Sequence, residues 1–596
     1  METSPSKPVF INPSMDARSA LREQGTRTAS LDIRALQQAL LLAPTSVSGN
    51  SQLTLNLFDD LTLTLQTELI EPFGRDGVVW RGQMAGLRNV RGYLAISGIR
   101  AAEAEVEPII MSGSVTVYGQ VYSIMPVANG LVSISTSQSA MPICGGIIPR
   151  IVNDDSGASA DSDIYSVSDS TDTNSKDVSN TMAVIHVLAL YSTGTKNAIQ
   201  GGAQAIDTIM AHAQHQTNEV FHNSGIYARV EITTQELPIL LHDSVDPMLN
   251  DVVGPPVRDN AGVHIGRNNP RQAAWDAVTA ARDKAQASVV ALLTNLGSSG
   301  SGVASAIPEP PRFDKSDLRY ATFAIQIISS NPGYTFAHEL GHLLGGKHDY
   351  ADVQFSGGDP KYDYVRGYKF SNKTHVGITM MCYENASKGE FYVPAYSAAD
   401  RKWDGHRLGI PVGQIDAADT AHFFRLSTQV VANYRGSGTP RWNPVQLELA
   451  VSPPFGGTLT PSALGPYPQG SSVRISPTPR ASHQFSHWVL DGKNAGADPT
   501  IMVKMDHTHA LTAHFVAGQG SYILEVTPPP VSSGLKILLH PPGGAYAPGT
   551  DVTVQLEGTD SGLKLEYWLL DENPIGQIRY VHIHMDRNHS IKVKLK

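Results

Sequence analysis

The chain has 596 residues, of which 41% are hydrophobic and 17% are charged, and its formal net charge is −10 at pH 7. That length predicts several domains, each with enough apolar residues for a core of its own. The acidic balance, with no strongly basic run, argues against nucleic acid and against an anionic membrane surface as partners. No apolar run is as long as a transmembrane helix, so we predict no membrane span.

Residues 1–150 are predicted to form a β-rich N-terminal domain. The runs 53–57 and 61–65 read Leu-Thr-Leu-Asn-Leu and Leu-Thr-Leu-Thr-Leu, and this period-two alternation is typical of half-buried strands. Residues 151–180 are rich in Ser, Asp and Thr. Such a composition cannot bury a core, so this stretch is predicted to be a flexible linker.

The segment that carries most chemical information begins at His338 and reads His-Glu-Leu-Gly-His-Leu-Leu-Gly-Gly-Lys-His. His338 and His342 are four residues apart, so on a helix they share one face and can hold one metal ion. Glu339 lies between them and can reach a metal-bound water. His348 follows as a third nitrogen ligand. The pattern therefore predicts one catalytic zinc ion, because three protein ligands leave one coordination position open for water.

Two residues next to these ligands are predicted to shape the centre. Gly345 can end the helix, because glycine adopts a left-handed backbone without steric cost, and the chain can then turn back to deliver His348. Asp349 is predicted to fix the loop that carries His348 through a hydrogen bond, and not to act in catalysis.

The pattern H-E-x-x-H-x-x-G-x-x-H is a metzincin signature. Residues from about 180 to 436 resemble bacterial metzincin peptidases of the reprolysin (adamalysin) type. Beyond the zinc motif, the resemblance rests on a series of segments: an opening strand at 183–191, a long helix at 211–225, a central strand at 287–293, an edge strand at 302–307, the approach to the zinc helix at 334–337, and closing segments at 396–397 and 430–435. Ser288 stands where the family usually has Asp.

The resemblance implies a fold and a methionine turn. The fold is α+β: a metzincin catalytic domain at residues 181–436 with a twisted mixed sheet and long helices. Met381 aligns with the family's methionine beneath the zinc, because Tyr383 follows two residues later, and Met380 is the competing choice. Tyr383 can ligate zinc, hydrogen-bond the tetrahedral intermediate, or serve only as a packed aromatic.

The resemblance also implies an activity. We predict a secreted zinc-dependent endopeptidase that hydrolyses peptide bonds in proteins through a zinc-bound water activated by Glu339. The predicted location is extracellular although no signal peptide is visible. Calcium is left open as a second ion without assigned ligands. An intact Glu339 argues against the rival interpretation, an adhesion or binding protein in which the metzincin fold is secondary. Hydrolysis of a non-peptide bond is a third alternative.

If the chain is such a peptidase, its N-terminal domain resembles a propeptide. The chain is then predicted to be a zymogen that is activated by cleavage in the linker. Cys144 stands just before the linker, and three interpretations of it stay open. Its thiolate can cap the open zinc position as a cysteine switch, it can be an inert buried thiol, or it can form a disulfide with Cys382.

The C-terminal part is an internal duplication with units at 445–517 and 520–596. Matching positions such as Trp488 and Trp568 lie roughly 80 residues apart. The units resemble divergent internalin-type B-repeats, which implies small all-β modules that bind a surface, a glycan or a host protein, or act only as spacers or stabilisers. Histidines of the repeats are interpreted as exposed strand residues, because no carboxylate or Cys completes a metal site; these are His507, His509, His582, His584 and His589.

Overall fold

The computed structural model describes residues 8–11, 26–40, 52–58, 61–85, 87–99, 109–117, 120–127, 130–137, 144–148, 182–237, 239, 241–258, 264–296, 301–305, 321–329, 331–349, 362–371, 376–383, 390–403, 405–435, 444–452, 457–462, 465, 467–479, 483–517, 522–527, 529, 535–540, 545–557, 565–576 and 580–595. The predicted linker at 151–180 lies outside these residues. The described part is rich in β-strands and contains seven α-helices.

The described N-terminal residues form an antiparallel sheet and one helix. The two period-two runs are confirmed as paired strands, with Leu53 opposite Leu65 and Leu55 opposite Leu63. These leucines are buried because alternate residues of a strand point to the same face. The elements are β1 (Phe10–Ile11), β2 (Thr26–Leu31), α1 (Ile33–Leu40), β3 (Gln52–Phe58), β4 (Leu61–Phe73), β5 (Gly77–Met84), β6 (Leu87–Ser97), β7 (Ile110–Val117), β8 (Gln120–Pro126), β9 (Leu131–Ser137) and β10 (Cys144–Ile148).

A six-stranded sheet forms the centre of the next region. Its order is β10-β16-β17-β15-β11-β12, and every described pairing is parallel except that of β16 with β17. The predicted opening strand is confirmed as β11. The strands are β11 (Ala183–Tyr191), β12 (Ala228–Glu236), β13 (Pro256–Arg258), β14 (His264–Arg267), β15 (Val289–Thr294), β16 (Gly302–Ser305) and β17 (Thr322–Gln326). β13 and β14 form a separate hairpin.

Helices cover both faces of the central sheet, as the near-continuous apolar strands require. One face packs on α3, α6 and α7 in the larger core, and the other face packs on α4 and α5 in a smaller core. The helices are α2 (Thr193–Ala198), α3 (Gly202–Asn223), α4 (Val245–Val253), α5 (Gln272–Ala285), α6 (Pro332–Leu343) and α7 (Thr420–Ala432), with a 3-10 turn at Asn433–Arg435. Helix α3 begins nearer the N-terminus than the predicted residue 211.

Short strands connect α6 to α7. They are β18 (Lys369–Ser371), β19 (Val376–Ile378), β20 (Glu390–Tyr392), β21 (Ala398–Trp403) and β22 (His406–Leu408). β18, β19 and β20 form one small sheet, and β21 and β22 form a hairpin. The methionine turn follows β19 directly, so this small sheet positions it.

The C-terminal region consists of two groups of strands with matching pairings. The first group is β23 (Pro444–Val445), β24 (Leu447–Ser452), β25 (Gly457–Pro461), β26 (Tyr467–Pro468), β27 (Ser471–Pro479), β28 (His483–Leu490), β29 (Lys493–Asn494), β30 (Ile501–Met505) and β31 (His509–Ala517). The second group is β32 (Tyr522–Thr527), β33 (Lys536–His540), β34 (Ala545–Tyr546), β35 (Asp551–Glu557), β36 (Leu565–Leu570), β37 (Asn573–Gly576), β38 (Tyr580–His584) and β39 (His589–Leu595). Trp488 and Trp568 are fully buried at the same place in each group.

The N-terminal sheet is joined to both C-terminal groups. β4 pairs with β27, so the N-terminal strands and part of the first group share a twelve-stranded sheet. Trp80 of the N-terminal region and Trp568 of the second group belong to one apolar core. The predicted boundaries of the domains stay predictions, but the N-terminal region and the repeats are in direct contact.

Buried charged side chains join the N-terminal sheet to helix α3 and strand β12. Arg91 lies 2.9 Å from Glu219. Glu71 accepts hydrogen bonds from Arg229, at 2.9 Å, and lies 3.0 Å from His215. Burial alone would raise the pKa of Glu71, but Arg229 and His215 hold it well below its usual range.

His212 of the same helix is buried beside the hydroxyl groups of Ser112 and Ser114. Burial lowers its pKa to about 3. The face of α3 that carries these histidines is therefore an interface between regions of the chain. Among the helices of the described residues, none is long and apolar enough to span a membrane.

Candidate metal centre and active site

The zinc helix α6 begins earlier than predicted, because residues 334–337, which were predicted to be the approach to it, form part of its first turns. The side chain of Asn331 caps the N-terminus by accepting a hydrogen bond from the N–H of Tyr334, and Pro332 occupies the first turn. Gly345 has φ of 101°, a backbone region that favours glycine, which confirms the predicted stop. The N–H of Gly346 bonds the carbonyl of Gly341 across this turn at 2.8 Å.

The three predicted ligand histidines converge at the end of this helix. The Nε2 atom of His338 lies 3.1 Å from Nε2 of His342 and 3.2 Å from Nε2 of His348. All three side chains are almost fully buried. Burial lowers the pKa of His338 to about 4 and also lowers the pKa values of the other two, so the imidazoles are neutral at pH 7.

Hydrogen bonds orient two of these imidazoles. Nδ1 of His338 donates to the carbonyl of Met380 at 2.7 Å, and Nδ1 of His342 donates to the carbonyl of Gly346 at 2.8 Å. These bonds fix the tautomer in which each Nε2 can coordinate a metal. A zinc ion about 2.0–2.1 Å from three nitrogens would separate them by roughly 3.3 Å in tetrahedral geometry. The donor set therefore fits zinc.

The methionine turn lies beneath this centre. A Cβ placed on Gly341 would come 2.4 Å from Sδ of Met381, so the methionine packs against the helix at a position where the helix has no side chain. Met380 is also buried, but it contributes its carbonyl to His338. The hydroxyl of Tyr396 donates to the carbonyl of Ala337 and ties a later segment to the zinc helix.

Glu339 is almost fully buried beside the edge strand β16. A Cβ placed on Gly302, the first residue of β16, would come 2.4 Å from Oε1 of Glu339. Gly302 therefore makes room for the carboxylate. The sequence predicts the edge strand, but it gives no signal that its first residue touches the proposed base.

A lysine that the sequence analysis missed links the loop of His348 to the methionine turn. Nζ of Lys369 lies 3.1 Å from Asp349 and 3.1 Å from Glu390. It also donates to the carbonyl of Tyr383 at 2.7 Å. Burial works to lower the pKa of Lys369, but Asp349 raises it above its usual value. This geometry agrees with the predicted structural role of Asp349.

The ring of Tyr383 packs on a ligand. Its centroid is 4.0 Å from that of His348, with the two ring planes tilted by 41°. This contact is the packed-aromatic arrangement. Whether the hydroxyl group also serves as a zinc ligand or stabilises an intermediate stays a prediction.

The two cysteines lie near the centre in different ways. Cys382 is a free, fully buried thiol, and this argues against a disulfide with Cys144, one of the three interpretations left open above. Burial raises the pKa of Cys382 well above its usual value. The side chain of Cys144 lies outside the described residues, but its backbone is aligned with Gly302 in the parallel pairing of β10 with β16.

Three imidazoles on a helix and the turn after it, with a buried glutamate between the first two, define the centre of a zinc metallopeptidase. Residues 179–392 match metallo-peptidase family M12, and residues 447–519 match the divergent InlB B-repeat domain. The chain is thus a zinc metalloendopeptidase that carries a bacterial repeat domain. The family implies zinc, and the three-histidine cluster is compatible with it.

Two curated relatives are similar at low identity. A peptidyl-Asp metalloendopeptidase of Stenotrophomonas maltophilia is 23% identical over 54% of this chain and 68% of its own length. A peptidyl-Asp metalloendopeptidase of Pseudomonas aeruginosa is 24% identical over 47% of this chain, which spans only 44% of that relative. A solved chaperone–substrate complex matches 42% of this chain and 35% of its own chain at 16% identity, with a TM-score of only 0.29.

The prediction that no carboxylate completes a metal site in the repeats is wrong. Asp491 lies with His507 and His509 in a second cluster whose ligand atoms are all within 4.8 Å of one another. His509 and His589 are buried, not exposed. The sequence did contain a signal that an aspartate accompanies each buried histidine. In both repeats a Met-Asp pair is followed by His at the third position after Asp. Neither described cluster is the all-oxygen set that calcium prefers, so calcium has no support.

Proposed function

We propose that the chain is a secreted endopeptidase, that His338, His342 and His348 hold its zinc, and that Glu339 is its general base. The observation that carries the proposal is the convergence of the three Nε2 atoms at 3.1 and 3.2 Å, beside a buried glutamate on the same helix. Bacterial relatives with endopeptidase names support the proposal, and an extracellular location is part of it.

The chemistry divides between the metal and the chain. A bound zinc supplies a Lewis acid that acidifies water and polarises a carbonyl group. Glu339 takes a proton from the attacking water and holds it on a carboxylate oxygen, then gives it to the leaving amine. The hydrogen bonds from His338 and His342 to backbone carbonyls keep the imidazoles in the orientation that the centre needs. Tyr383 is proposed to stabilise negative charge on the substrate carbonyl oxygen.

An extended peptide is the proposed substrate. Strand β16 borders Glu339 and leads toward the centre, and a peptide can add to such an edge through main-chain hydrogen bonds. Because two relatives are named for cleavage at aspartyl residues, Asp-containing peptides are the first substrates to test. This substrate class is favoured over a non-peptide bond because an edge strand reads a peptide backbone.

Latency is also proposed. β10 pairs in parallel with β16, so residues 144–148 occupy the edge that a substrate would use. The backbone of Cys144 is opposite Gly302, which in turn abuts Glu339. A peptide in this position blocks the cleft, and the thiol of Cys144 is proposed to serve as the switch. Cleavage between residues 151 and 180 would allow β10 to dissociate from β16.

The repeats are proposed to stabilise the molecule first and to bind a ligand second. Val473 of the first repeat aligns with Leu69 of β4, and the second repeat shares a core with the N-terminal region. The match to a divergent InlB B-repeat domain keeps a surface, glycan or protein ligand as a candidate. An adhesion protein remains the rival function.

The test is a digestion of a defined peptide library, with every cleaved bond located by mass spectrometry. We expect cleavage by the chain after a cut in the linker, at a rate that exceeds that of the intact chain. Glu339→Gln should lose activity by about 10²–10⁴-fold, which is the usual contribution of a general base. Zinc content and melting temperature control for misfolding. Equal activity of the variant and the native chain would overturn the role of Glu339.

A further inference from the structure

The two C-terminal repeats contain the same Asp–His–Asp contact around a buried histidine. In the first repeat, Nδ1 of His509 lies 2.6 Å from Asp491 and its Nε2 lies 3.1 Å from Asp506. Asp491 also accepts a hydrogen bond from the N–H of Ala510 at 2.9 Å, which fixes its carboxylate. Asp491 adopts a left-handed backbone with φ of 50°.

In the second repeat, the corresponding distances are almost the same. Nδ1 of His589 lies 2.8 Å from Asp571 and its Nε2 lies 2.9 Å from Asp586. Asp571 again accepts a backbone N–H bond, from Ser590, and again has φ of 50°. Because this contact occurs in both repeats, it belongs to the fold of the repeat and does not by itself indicate a ligand.

The residue that follows the second aspartate differs between the repeats. In the second repeat it is Arg587, whose guanidinium lies 3.2 Å from Asp571 and 3.6 Å from Asp586. A permanent cation therefore neutralises both carboxylates. Burial works to lower the pKa of His589, but hydrogen bonds to these carboxylates raise it above its usual value. The guanidinium of Arg587 has no lone pair for a metal.

In the first repeat the same position is His507. Its Nδ1 lies 2.5 Å from Oδ1 of Asp506, and its Nε2 lies 3.9 Å from Oδ2 of Asp491. One carboxylate oxygen of Asp506 thus accepts from both His507 and His509, which orients the two rings. The remaining nitrogens, Nε2 of His507 and Nδ1 of His509, face the same oxygen of Asp491.

This arrangement matches the way proteins build a zinc site. A carboxylate that accepts the second N–H of a ligand histidine is the usual outer partner of such a site. Two imidazoles and one carboxylate are a donor set that zinc accepts, at about 2.0–2.2 Å from each atom. His507 is largely exposed, so its ring is free to move by the small amount that these distances need.

We infer that the first repeat binds a zinc ion through Asp491, His507 and His509, with Asp506 as the outer carboxylate that orients both imidazoles. The site lies outside the peptidase domain, and a water completes its coordination. It joins the turn after β28 to the turn between β30 and β31. The second repeat, with Arg587 in the place of His507, binds no metal there.

The test counts zinc ions in the full chain, in a Glu339→Gln background that prevents self-digestion, after equilibrium dialysis against micromolar zinc. We expect two ions per chain. His507→Arg should bind one, and Arg587→His should bind three, because each exchange gives one repeat the residue of the other. His540→Arg, which removes an exposed histidine of the second repeat, should still bind two.

Further variants distinguish the zinc ion of the first repeat from that of the catalytic centre. His338→Ala should also remove one zinc, and His338→Ala combined with His507→Arg should remove both. Melting curves verify that the His507→Arg chain folds, as the natural arginine in the second repeat leads us to expect. An unchanged zinc count in His507→Arg, or a single ion in the parent chain that is lost in His338→Ala, would overturn the inference.

Discussion

At the scale of single residues, the proposed active site depends on two glycines, because a side chain at either position would clash with a residue of the site. Glycines at positions 302 and 341 leave space that the carboxylate of Glu339 and the sulfur of Met381 fill. The motif predicts the three ligands and the base, because their spacing has one structural meaning. It does not predict these contacts, since residues 302 and 339 are far apart in sequence and meet only through the sheet.

Gly302→Ala tests this close contact. The added Cβ would stand 2.4 Å from Oε1 of Glu339, so the carboxylate must move. A displacement of about 1 Å at a catalytic group can cost about 10²-fold in rate, and we expect that loss in kcat/KM with the zinc content unchanged. Val303→Ala is the control, because Val303 packs on the opposite face of the sheet. Full activity of Gly302→Ala would show that Glu339 tolerates displacement.

The pH dependence of stability tests the buried His212. Its pKa in the folded chain is about 3, against about 6.5 when unfolded, so the unfolded state binds more protons as the pH falls. Stability is therefore lost as the pH falls below about 6.5, and His212 contributes about 2 kcal/mol of that loss at pH 5. Glu71, whose pKa is also lowered, adds to the loss in more acidic solution.

The measurement is urea unfolding of the Glu339→Gln chain at pH 7.5 and pH 5. In His212→Gln, the difference in stability between these pH values should shrink by about 2 kcal/mol, since one titrating group is gone. His540→Gln, at an exposed position, should leave it unchanged. If His212→Gln and the parent chain lose the same stability, His212 is not held neutral by burial.

At the scale of elements, local patterns predicted some segments well. The zinc helix stops at its glycine, the opening strand matches its predicted bounds, and the period-two leucine runs form strands as predicted. Helix α3 begins at Gly202, before the predicted residue 211, and Gly201 caps it from a left-handed conformation. The sequence around the histidines of α3 does not predict that the N-terminal sheet buries them.

Gly345→Ala tests how the helix stop delivers His348. An alanine there combines φ of 101° with a Cβ 2.8 Å from the ring of Phe423, so the turn must rearrange. We expect zinc affinity of the catalytic centre to fall by about 10–100-fold, as for a lost supporting contact. Competition with a chelator measures this affinity. Gly405→Ala also has positive φ but no atom within 4 Å, and it should leave the affinity unchanged.

At the scale of the whole molecule, the N-terminal sheet contacts the peptidase region and both repeats. The ion pair between Glu71 and Arg229 joins residues 158 positions apart, and Arg81 and Arg474 make hydrogen bonds across still longer separations. Composition and periodicity could predict the regions of the chain but not these long-range contacts. In the sequence, each charged residue is indistinguishable from an ordinary surface residue. The interface suggests that a propeptide-like region can remain attached after cleavage.

A cut in the linker tests this attachment. A specific protease site placed between residues 151 and 180 of the Glu339→Gln chain should yield two fragments that elute together in gel filtration. Removing one partner of a buried ion pair costs about 3–5 kcal/mol, so Arg229→Ala combined with Arg91→Ala should promote separation. Fragments of the unchanged chain that separate at once would mean that the N-terminal region is released on activation.

The most direct test of the central claim is casein digestion by the linker-cut chain after removal and return of zinc. We predict no cleavage by the stripped chain, recovery of cleavage when zinc is returned, and none in Glu339→Gln at the same zinc content. Digestion by the stripped chain, or by Glu339→Gln at the rate of the parent, would contradict a zinc peptidase whose base is Glu339.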